Sequence, residues 1–177
     1  MKKQLILLAA LALLTVPALA QTVWKPTKAS VSFTIKNAGF TVDGSFGGFA
    51  GTLSFDPAMP EKSKLSASVE TASINTGNGT RDGHLRKADY FDVAAHPRIS
   101  LTSVSIEKKG GNNYSGVFDL TIKGITRRVT IPFTFAQTGN TGQFTGSFSI
   151  NRLDYKVGKS SFLLSDEVKL TLNVPVQ

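Results

Sequence analysis

The sequence predicts an all-β fold whose strands must hide their own apolar face, as a closed barrel or a sandwich. Eight stretches alternate apolar and polar residues, and in the clearest, 114–123, Phe118 and Leu120 share a face with Tyr114, Gly116 and Ile122. Side chains of a strand point alternately to opposite faces, so each stretch predicts a half-buried strand. Only one short segment predicts a helix, so no helical layer covers the apolar face. Short joins between consecutive strands favour an antiparallel up-and-down order.

Residues 1–20 have the pattern of a secretory signal peptide. Lys2 and Lys3 precede the apolar run 5–16, and Ala18-Leu19-Ala20 forms a small-x-small cleavage site. The run is shorter than the roughly 20 apolar residues that span a bilayer. We therefore expect cleavage before Gln21, export, and a single mature domain of residues 21–177.

The strands are predicted in order along the mature chain. The second is interrupted by four glycines, which often mark bulges or tight bends. Pro132 removes a backbone donor from the sixth, which is therefore expected to be partly unpaired or to lie beside a gap. An edge at that gap is where two chains are expected to pair if the protein is a homodimer. The eight predicted strands are Val31–Ile35, Thr41–Phe55, Leu65–Val69, Ile99–Ile106, Tyr114–Lys123, Val129–Phe135, Phe144–Ile150 and Val168–Val176.

Two segments break the alternation. The first, 76–96, predicts a short helix after the third strand, with Thr80 as its N-cap and Leu85 on its inward side. The second, 151–166, lies between the last two strands and has no regular pattern. There we expect Arg152 and Asp154 to form a structural ion pair.

Composition excludes several classes of function. The chain has a formal net charge of +8, no cysteine and two histidines. It therefore forms no disulfide and no thiolate metal site, and two histidines are too few for a usual zinc site, so we expect no metal and no cofactor. Its basic residues are scattered, while its aromatic residues follow the apolar face, which disfavours nucleic-acid binding. The positive charge favours anionic surfaces or head groups, including transient contact with a membrane surface.

The apolar face predicts either a filled core, a lipid cavity or a membrane pore. An eight-stranded barrel is either filled by side chains or able to hold one small ligand. A cavity would suit a chain-like lipid, because each buried methylene contributes roughly 0.8 kcal/mol. The predicted lining residues are Phe33, Phe118, Leu120, Phe133, Phe135, Phe144 and Phe148.

Basic residues in the helix segment are the candidates for holding a head group. Arg81, His84 and Arg86 would suit a diphosphate or another anion, since guanidinium groups make bidentate contacts to phosphate. The alternative, which we favour, is that Arg81 and Asp82 fasten the helix to the barrel while Arg86 faces water. An enzyme acting on a lipid-like substrate through Asp82 or His84 is the other function considered, but no nucleophile motif accompanies them.

Several motifs together resemble the YceI-like family of exported, lipocalin-like polyisoprenoid-binding proteins. They span the mature chain, and the most specific is Arg81-Asp82-Gly83-His84-Leu85-Arg86 followed by Asp89-Tyr90-Phe91-Asp92. The others are His96-Pro97, Leu120-Thr121-Ile122-Lys123-Gly124-Ile125-Thr126-Arg127, Ile150-Asn151-Arg152-Leu153-Asp154-Tyr155 and Ser165-Asp166-Glu167-Val168.

The resemblance implies an extended eight-stranded antiparallel lipocalin-like β-barrel with one short α-helix, enclosing a long isoprenoid tail. It implies a binding or carrier role in the bacterial periplasm rather than catalysis, in isoprenoid or quinone metabolism, transport, storage or a stress response. Two positions depart from the family pattern. Asn37 stands at a frequent histidine, and Phe118 stands at a common glycine, which predicts an altered cavity.

Overall fold

Ten antiparallel strands form a single sheet in the computed structural model, which describes residues 22–177. The all-β class with one short α-helix is therefore confirmed, and the predicted signal peptide, residues 1–20, lies outside the described residues. The helix α1 is Gly79–Leu85, and 3₁₀ turns occupy Pro60–Lys62, Thr71–Ser73 and Arg152–Tyr155. The strands are β1 Val23–Trp24, β2 Ser30–Asn37, β3 Phe40–Phe46, β4 Ala50–Ser54, β5 Lys64–Glu70, β6 Arg98–Gly110, β7 Asn113–Ile122, β8 Ile125–Thr138, β9 Thr141–Asn151 and β10 Leu164–Val176.

The predicted number of eight strands is wrong, and the sheet has ten. The stretch 41–55 forms two strands, because the chain leaves the sheet after Phe46 and Gly48 adopts a φ of +62°, a left-handed conformation that glycine accepts without strain. The additional strand β1 has two residues, too few to show an alternating pattern. As a result, α1 follows the fifth strand rather than the third.

The sheet curls into a half-barrel and does not close into the predicted barrel, because its edge strands β1 and β3 are not hydrogen-bonded to each other within residues 22–177. One edge meets the end of β10, and the other meets the segment before α1. The strand order is β1-β4-β5-β6-β7-β8-β9-β10-β2-β3. After β1, Lys25 exchanges backbone hydrogen bonds of 2.8 and 3.0 Å with Gln177, just beyond the end of β10. At the other edge, Ser45 of β3 exchanges bonds of 2.9 and 3.0 Å with Asn75, shortly before α1. The apolar face is thereby turned inward.

A gap separates part of β8 from β9, as the proline predicted. These strands pair only over Phe133–Thr138 and Thr141–Gly146, so the part of β8 up to Pro132 has no partner in β9. The 3₁₀ turn 152–155 follows β9 and contacts β8, and buried Tyr155 belongs to the apolar cluster against which Ile125 and Val129 of this stretch pack. The gap is therefore filled from the irregular segment rather than by another strand.

The short helix has a different N-cap from the predicted one, and Asp82, as predicted, helps to hold the helix in place. Asn78, not Thr80, is the N-cap, and its side-chain oxygen accepts the Arg81 N–H at 3.0 Å. Asp82 is buried and accepts hydrogen bonds from the Thr76 N–H at 2.9 Å and the Thr76 hydroxyl at 2.6 Å. These bonds join the start of the helix to the segment that precedes it.

One end of the sheet is packed solid with aromatic rings. Phe55 has no solvent exposure and lies edge-on against Phe135, with 4.9 Å between ring centroids. Phe135 also contacts Trp24 and Phe144, at 5.2 and 4.4 Å between centroids. Space inside the sheet is therefore left mainly toward α1.

Residues 22–177 include no helix long and apolar enough to cross a membrane.

Candidate functional site

A cavity of about 500 Å³ occupies the interior of the curled sheet below α1. It reaches the surface beside the helix, where the lining residues Asn78, Thr80 and His84 are exposed. Farther in, its walls are mostly apolar and come mainly from strands on opposite sides of the interior, with Ile74 and Phe91 added from the segments before and after α1. Those wall residues include Val31, Phe33, Ile35, Phe46, Val69, Ile74, Phe91, Ile99, Leu120, Ile122, Ile150, Val168 and Leu170.

A smaller cavity of about 120 Å³ adjoins the large one on the side away from the helix. Its lining is almost entirely apolar and includes Phe118, Phe133, Phe144 and Phe148. The residues that line both cavities are Val31, Val69, Ile99, Leu120 and Leu170. The interior therefore has a polar mouth, a wide apolar chamber and a narrow apolar end.

The structure places six of the seven predicted lining residues at a cavity wall. Phe33 lines the large cavity, Leu120 lines both, and the other four line the small one. Phe135 is the exception, because it packs among Trp24, Phe55 and Phe144 in the solid end of the sheet. Periodicity placed Phe135 on the inward face correctly but carried no information about how deep along the interior it lies.

Two phenylalanines lie directly against glycines of the inward face. A Cβ atom built on Gly116 would lie 2.3 Å from the Phe118 ring, and one built on Gly44 would lie 2.3 Å from the Phe33 ring. Close packing and a cavity therefore coexist in this interior. The glycines provide room for rings that would otherwise extend farther into the open space.

Arg81 is the cation at the mouth of the large cavity. Its Nε donates to the Thr76 hydroxyl at 2.8 Å, and its Nη2 donates to the Thr76 carbonyl at 2.8 Å. Within residues 22–177, no carboxylate oxygen lies within 4.0 Å of this guanidinium. The side chain is therefore oriented by Thr76 while its positive charge stays unneutralised by a direct ion pair.

The other two predicted head-group residues differ in position. His84 lines the cavity mouth. Arg86 does not, because its Nε and Nη2 donate to the carbonyls of Ala72 and Ile74 at 2.8 and 3.0 Å. The expectation that Arg86 faces water is therefore wrong, and Arg86 fastens the helix to the segment after β5.

Arg152 is a lining residue that the sequence did not assign to the site. Its side chain is only 5% exposed, and its Nη2 forms a 2.8 Å ion pair with Asp166, so the predicted pairing with Asp154 is wrong. Arg152 also donates to the backbone carbonyls of Val157, Lys159, Leu164 and Ser165. The guanidinium thus holds the irregular segment 152–166 in place along one wall of the large cavity.

Tyr155 is the second lining residue that periodicity could not reveal. It is 1% exposed, and its hydroxyl has no hydrogen-bond partner among residues 22–177. Desolvation raises the pKa of this phenol above its usual value of 10.0, and the nearby charge of Asp154 raises it further, against a lowering by Arg127. Arg152 and Tyr155 both belong to the run 150–155 that carries the family resemblance, and that resemblance was the one available signal.

The described part of the chain has no group of three or more His, Asp or Glu side chains arranged to hold a metal ion. The polar side chains at the mouth are instead the neutral Thr76, Asn78 and Thr80 and the two basic residues Arg81 and His84. Chemically, the arrangement offers a place for an oxygen-rich or anionic group at the entrance and for hydrocarbon behind it.

Comparison with known proteins gives consistent results for sequence and structure. Residues 23–176 match the model of the YceI-like domain. A protein described as "UPF0312 protein" from Ectopseudomonas mendocina is 33% identical over 153 residues, covering 82% of this chain and 80% of that protein. The crystal structure of Burkholderia cenocepacia BcnA has a TM-score of 0.80 and 29% identity, and the match covers 84% of this chain and 96% of that one.

A more distant likeness concerns the fold alone. A protein described as a polyisoprenoid binding domain from Saccharophagus degradans, implicated in plant cell wall breakdown, has a TM-score of 0.66 and 15% identity. The match covers 88% of this chain and 97% of that domain. The same curled sheet thus occurs in a protein with little sequence identity to this chain.

Proposed function

Since this chain belongs to the YceI-like family, we propose that it is a binding or carrier protein that holds a long-chain isoprenoid or a similar amphiphilic lipid inside its sheet. The observation that carries this proposal is the pair of adjoining cavities, one of about 500 Å³ and one of about 120 Å³, behind a polar mouth. The description of the Saccharophagus degradans domain as polyisoprenoid binding supports the same class of ligand.

The apolar walls account for affinity toward a hydrocarbon tail. Each methylene that moves from water into such a cavity contributes roughly 0.8 kcal/mol, so a few isoprene units would supply most of the binding free energy. The passage between the cavities runs beside Leu120, which lines both. We propose that the tail extends from the large cavity past Leu120 toward Phe118 in the small one.

The mouth accounts for orientation of the ligand. Arg81 and His84 lie where the large cavity meets solvent, and Thr76 orients the Arg81 guanidinium. A guanidinium without a carboxylate partner favours an anionic head such as phosphate or diphosphate. We propose that these two side chains contact the head group and that Arg86 acts only by fastening the helix.

The proposed role of the protein is to bind a lipid and not to catalyse a reaction. Asp82, the carboxylate considered for acid–base chemistry, is buried and accepts two hydrogen bonds from Thr76, so its role is to position the helix. No contact in the described residues favours the alternative of an enzyme acting on a lipid-like substrate.

We also propose that the protein is exported to the periplasm. The signal-peptide pattern of residues 1–20 supports export to the periplasm with cleavage before Gln21. The mass of the protein recovered from a periplasmic extract would test both points, since cleavage leaves residues 21–177. Recovery of the uncleaved chain in the cytoplasmic fraction would contradict them.

Native mass spectrometry of the protein purified from a bacterial periplasm is the direct test of the ligand. We expect a bound polyprenyl or quinone-type lipid, and an empty interior that takes up no such lipid would contradict the proposal. A matched pair of variants locates the lipid. Leu120→Trp fills the passage and is expected to abolish lipid retention, whereas Thr121→Trp places the same ring on the outer face of β7 and is expected to retain it.

Replacing Arg81 tests head-group recognition separately from tail binding. Arg81→Gln is expected to lower affinity for a polyprenyl phosphate about tenfold, the effect of losing one charge-assisted contact, and to leave a polyprenyl alcohol nearly unaffected. Arg128→Gln, which removes an exposed arginine on β8 paired with Asp119, is the control. Equal losses for both ligands would contradict the proposed head-group role.

The predicted homodimer stays a prediction, which the mass in solution from light scattering would test.

A further inference from the structure

Three large apolar side chains project into solvent beside the cavity mouth. Phe40 is 76% exposed, Phe162 is 108% exposed and Leu163 is 64% exposed. We refer to these three residues as the apolar rim. Apolar residues exposed singly are ordinary, but a group of them at one place marks an interaction surface.

The apolar rim is continuous with the wall of the large cavity. Asn37 and Leu164 line the cavity and pair with each other in the register of β2 and β10. One residue farther along each segment, the Ala38 N–H donates to the Leu163 carbonyl at 2.7 Å. Phe40 comes two residues after Ala38, and Phe162 directly precedes Leu163. The chain therefore passes from cavity lining to exposed rim within three residues on both sides.

Basic residues accompany the rim. Lys36 is exposed on β2 near the β2–β3 turn that precedes Phe40, and Lys159 is exposed in the loop that carries Phe162. Of the acidic residues nearest the rim in sequence, Asp166 is paired with Arg152 at 2.8 Å. Asp43 lies on β3 and accepts the Thr34 hydroxyl at 3.0 Å. Exposed aromatic residues beside lysines match the interface of a membrane, where rings enter the head-group layer and lysines meet anionic lipids.

We propose that the apolar rim docks on a lipid bilayer with anionic head groups and thereby places the cavity mouth against the membrane. The inference rests on the proposed function for the choice of a membrane, because a lipid ligand has to leave or enter a bilayer. A second copy of the chain fits this surface poorly. A symmetric pair would bring the lysines of the two copies together, and like charges facing each other disfavour association.

The test is co-sedimentation with vesicles made of equal parts phosphatidylglycerol and phosphatidylcholine. The full mature protein is expected to bind. Phe40→Ser combined with Phe162→Ser is expected to lower the partition coefficient at least about tenfold, because two aromatic rings no longer move from water into the membrane interface. Val23→Ser combined with Val104→Ser removes two exposed apolar side chains outside the rim, and we expect this control to change the partition less than about twofold.

A separate double variant tests how much the two lysines contribute to membrane binding. Lys36→Gln combined with Lys159→Gln is expected to weaken binding severalfold on vesicles that contain phosphatidylglycerol, and not on vesicles of phosphatidylcholine alone. Added salt should reproduce that loss for the wild-type protein. Equal binding of the lysine variant and the wild type at low salt would contradict the choice of an anionic membrane.

Several outcomes would overturn the proposal: no binding of the wild-type protein, equal binding of the rim and control variants, or a dimer that the rim variants dissociate. Native mass spectrometry separates this inference from the proposed function. The rim variants leave the cavity intact, so their lipid content is expected to match that of the wild type. Rim-dependent vesicle binding by a protein that holds no lipid would support docking and contradict the proposed function.

Discussion

The Phe118 ring lies over Gly116, two residues earlier on the same face of β7, and a Cβ atom at position 116 would approach it to 2.3 Å. The glycine therefore lets the ring lie along the strand instead of projecting across the interior. Because Phe118 lines the small cavity, this one contact helps to set how much open space remains at its narrow end.

Gly116→Ala is expected to push the Phe118 ring into the small cavity. Such overpacking costs about 1–3 kcal/mol, and we expect that loss in the free energy of unfolding measured with urea. Gly83→Ala is the control, because nothing lies within 4 Å of the added methyl group. In the helix, that change should be neutral or stabilising by roughly 0.5–1 kcal/mol. Equal stability of the two variants would show that Phe118 moves without resistance.

Phe118→Ala is expected to extend the narrow end of the interior. Truncating a buried phenylalanine costs about 3–5 kcal/mol, so Phe118→Leu serves as a milder second variant. Both variants should retain lipids with a longer tail than the wild type does, as read from the masses of bound lipids. Phe135→Leu is the matched control, because Phe135 packs in the solid end. An unchanged distribution of bound lipids in both Phe118 variants would contradict a role in limiting tail length.

Arg152→Met is expected to destabilise the protein strongly. The change leaves four backbone carbonyls without their donor, and it also removes the ion pair with Asp166, whose side chain is 38% exposed. Because each buried carbonyl that loses its partner costs about 1–3 kcal/mol, we expect a total loss of about 3 kcal/mol, to which the half-exposed ion pair contributes little. Arg128→Met is the control, since the Arg128–Asp119 pair is exposed and contributes about 0–1 kcal/mol. Thermal unfolding of the two variants checks the contrast. A similar loss in both would mean that Arg152 does not hold the 152–166 segment.

Ionisation of the buried Tyr155 phenol is expected to reduce the stability of the folded protein at alkaline pH. Burial raises the pKa of Tyr155, and burial also raises that of Tyr114, above the usual 10.0. The unfolded chain therefore releases these protons first as the pH increases. Stability is fully present below pH 10 and is lost as the pH rises from there through the folded-state pKa. Tyr155→Phe should lessen this loss, and adding Tyr114→Phe should lessen it further.

The same substitution has an effect at neutral pH. The Tyr155 hydroxyl has no partner among the described residues, and an unsatisfied buried hydroxyl costs about 1–3 kcal/mol. Tyr155→Phe removes that hydroxyl and keeps the ring, so we expect the free energy of unfolding at pH 7 to rise by about 1 kcal/mol. A clear decrease would show that the hydroxyl is hydrogen-bonded in solution.

Alternation alone was sufficient to predict the class of fold. The pattern of β7 placed Phe118, Leu120 and Ile122 on one face, and the structure buries all three. The two-residue alternation depends only on neighbouring residues of one strand, so it does not change with the way the rest of the chain folds. The count of strands failed at Gly48, where a change of backbone direction divides one apparent strand into two, and at β1, which is too short to have a period.

The sequence by itself determined which residues face inward, that they lack a helical cover, and, through the run around Arg81 and Asp82, the family. Only the tertiary structure decided which inward residues border open space. Phe118 and Phe135 have the same periodicity, yet one lines a cavity and the other fills a solid core. The difference depends on depth along the curled sheet and on partners far apart in the chain, such as Phe55 against Phe135 and Asp166 against Arg152, and a local pattern carries no record of such distances.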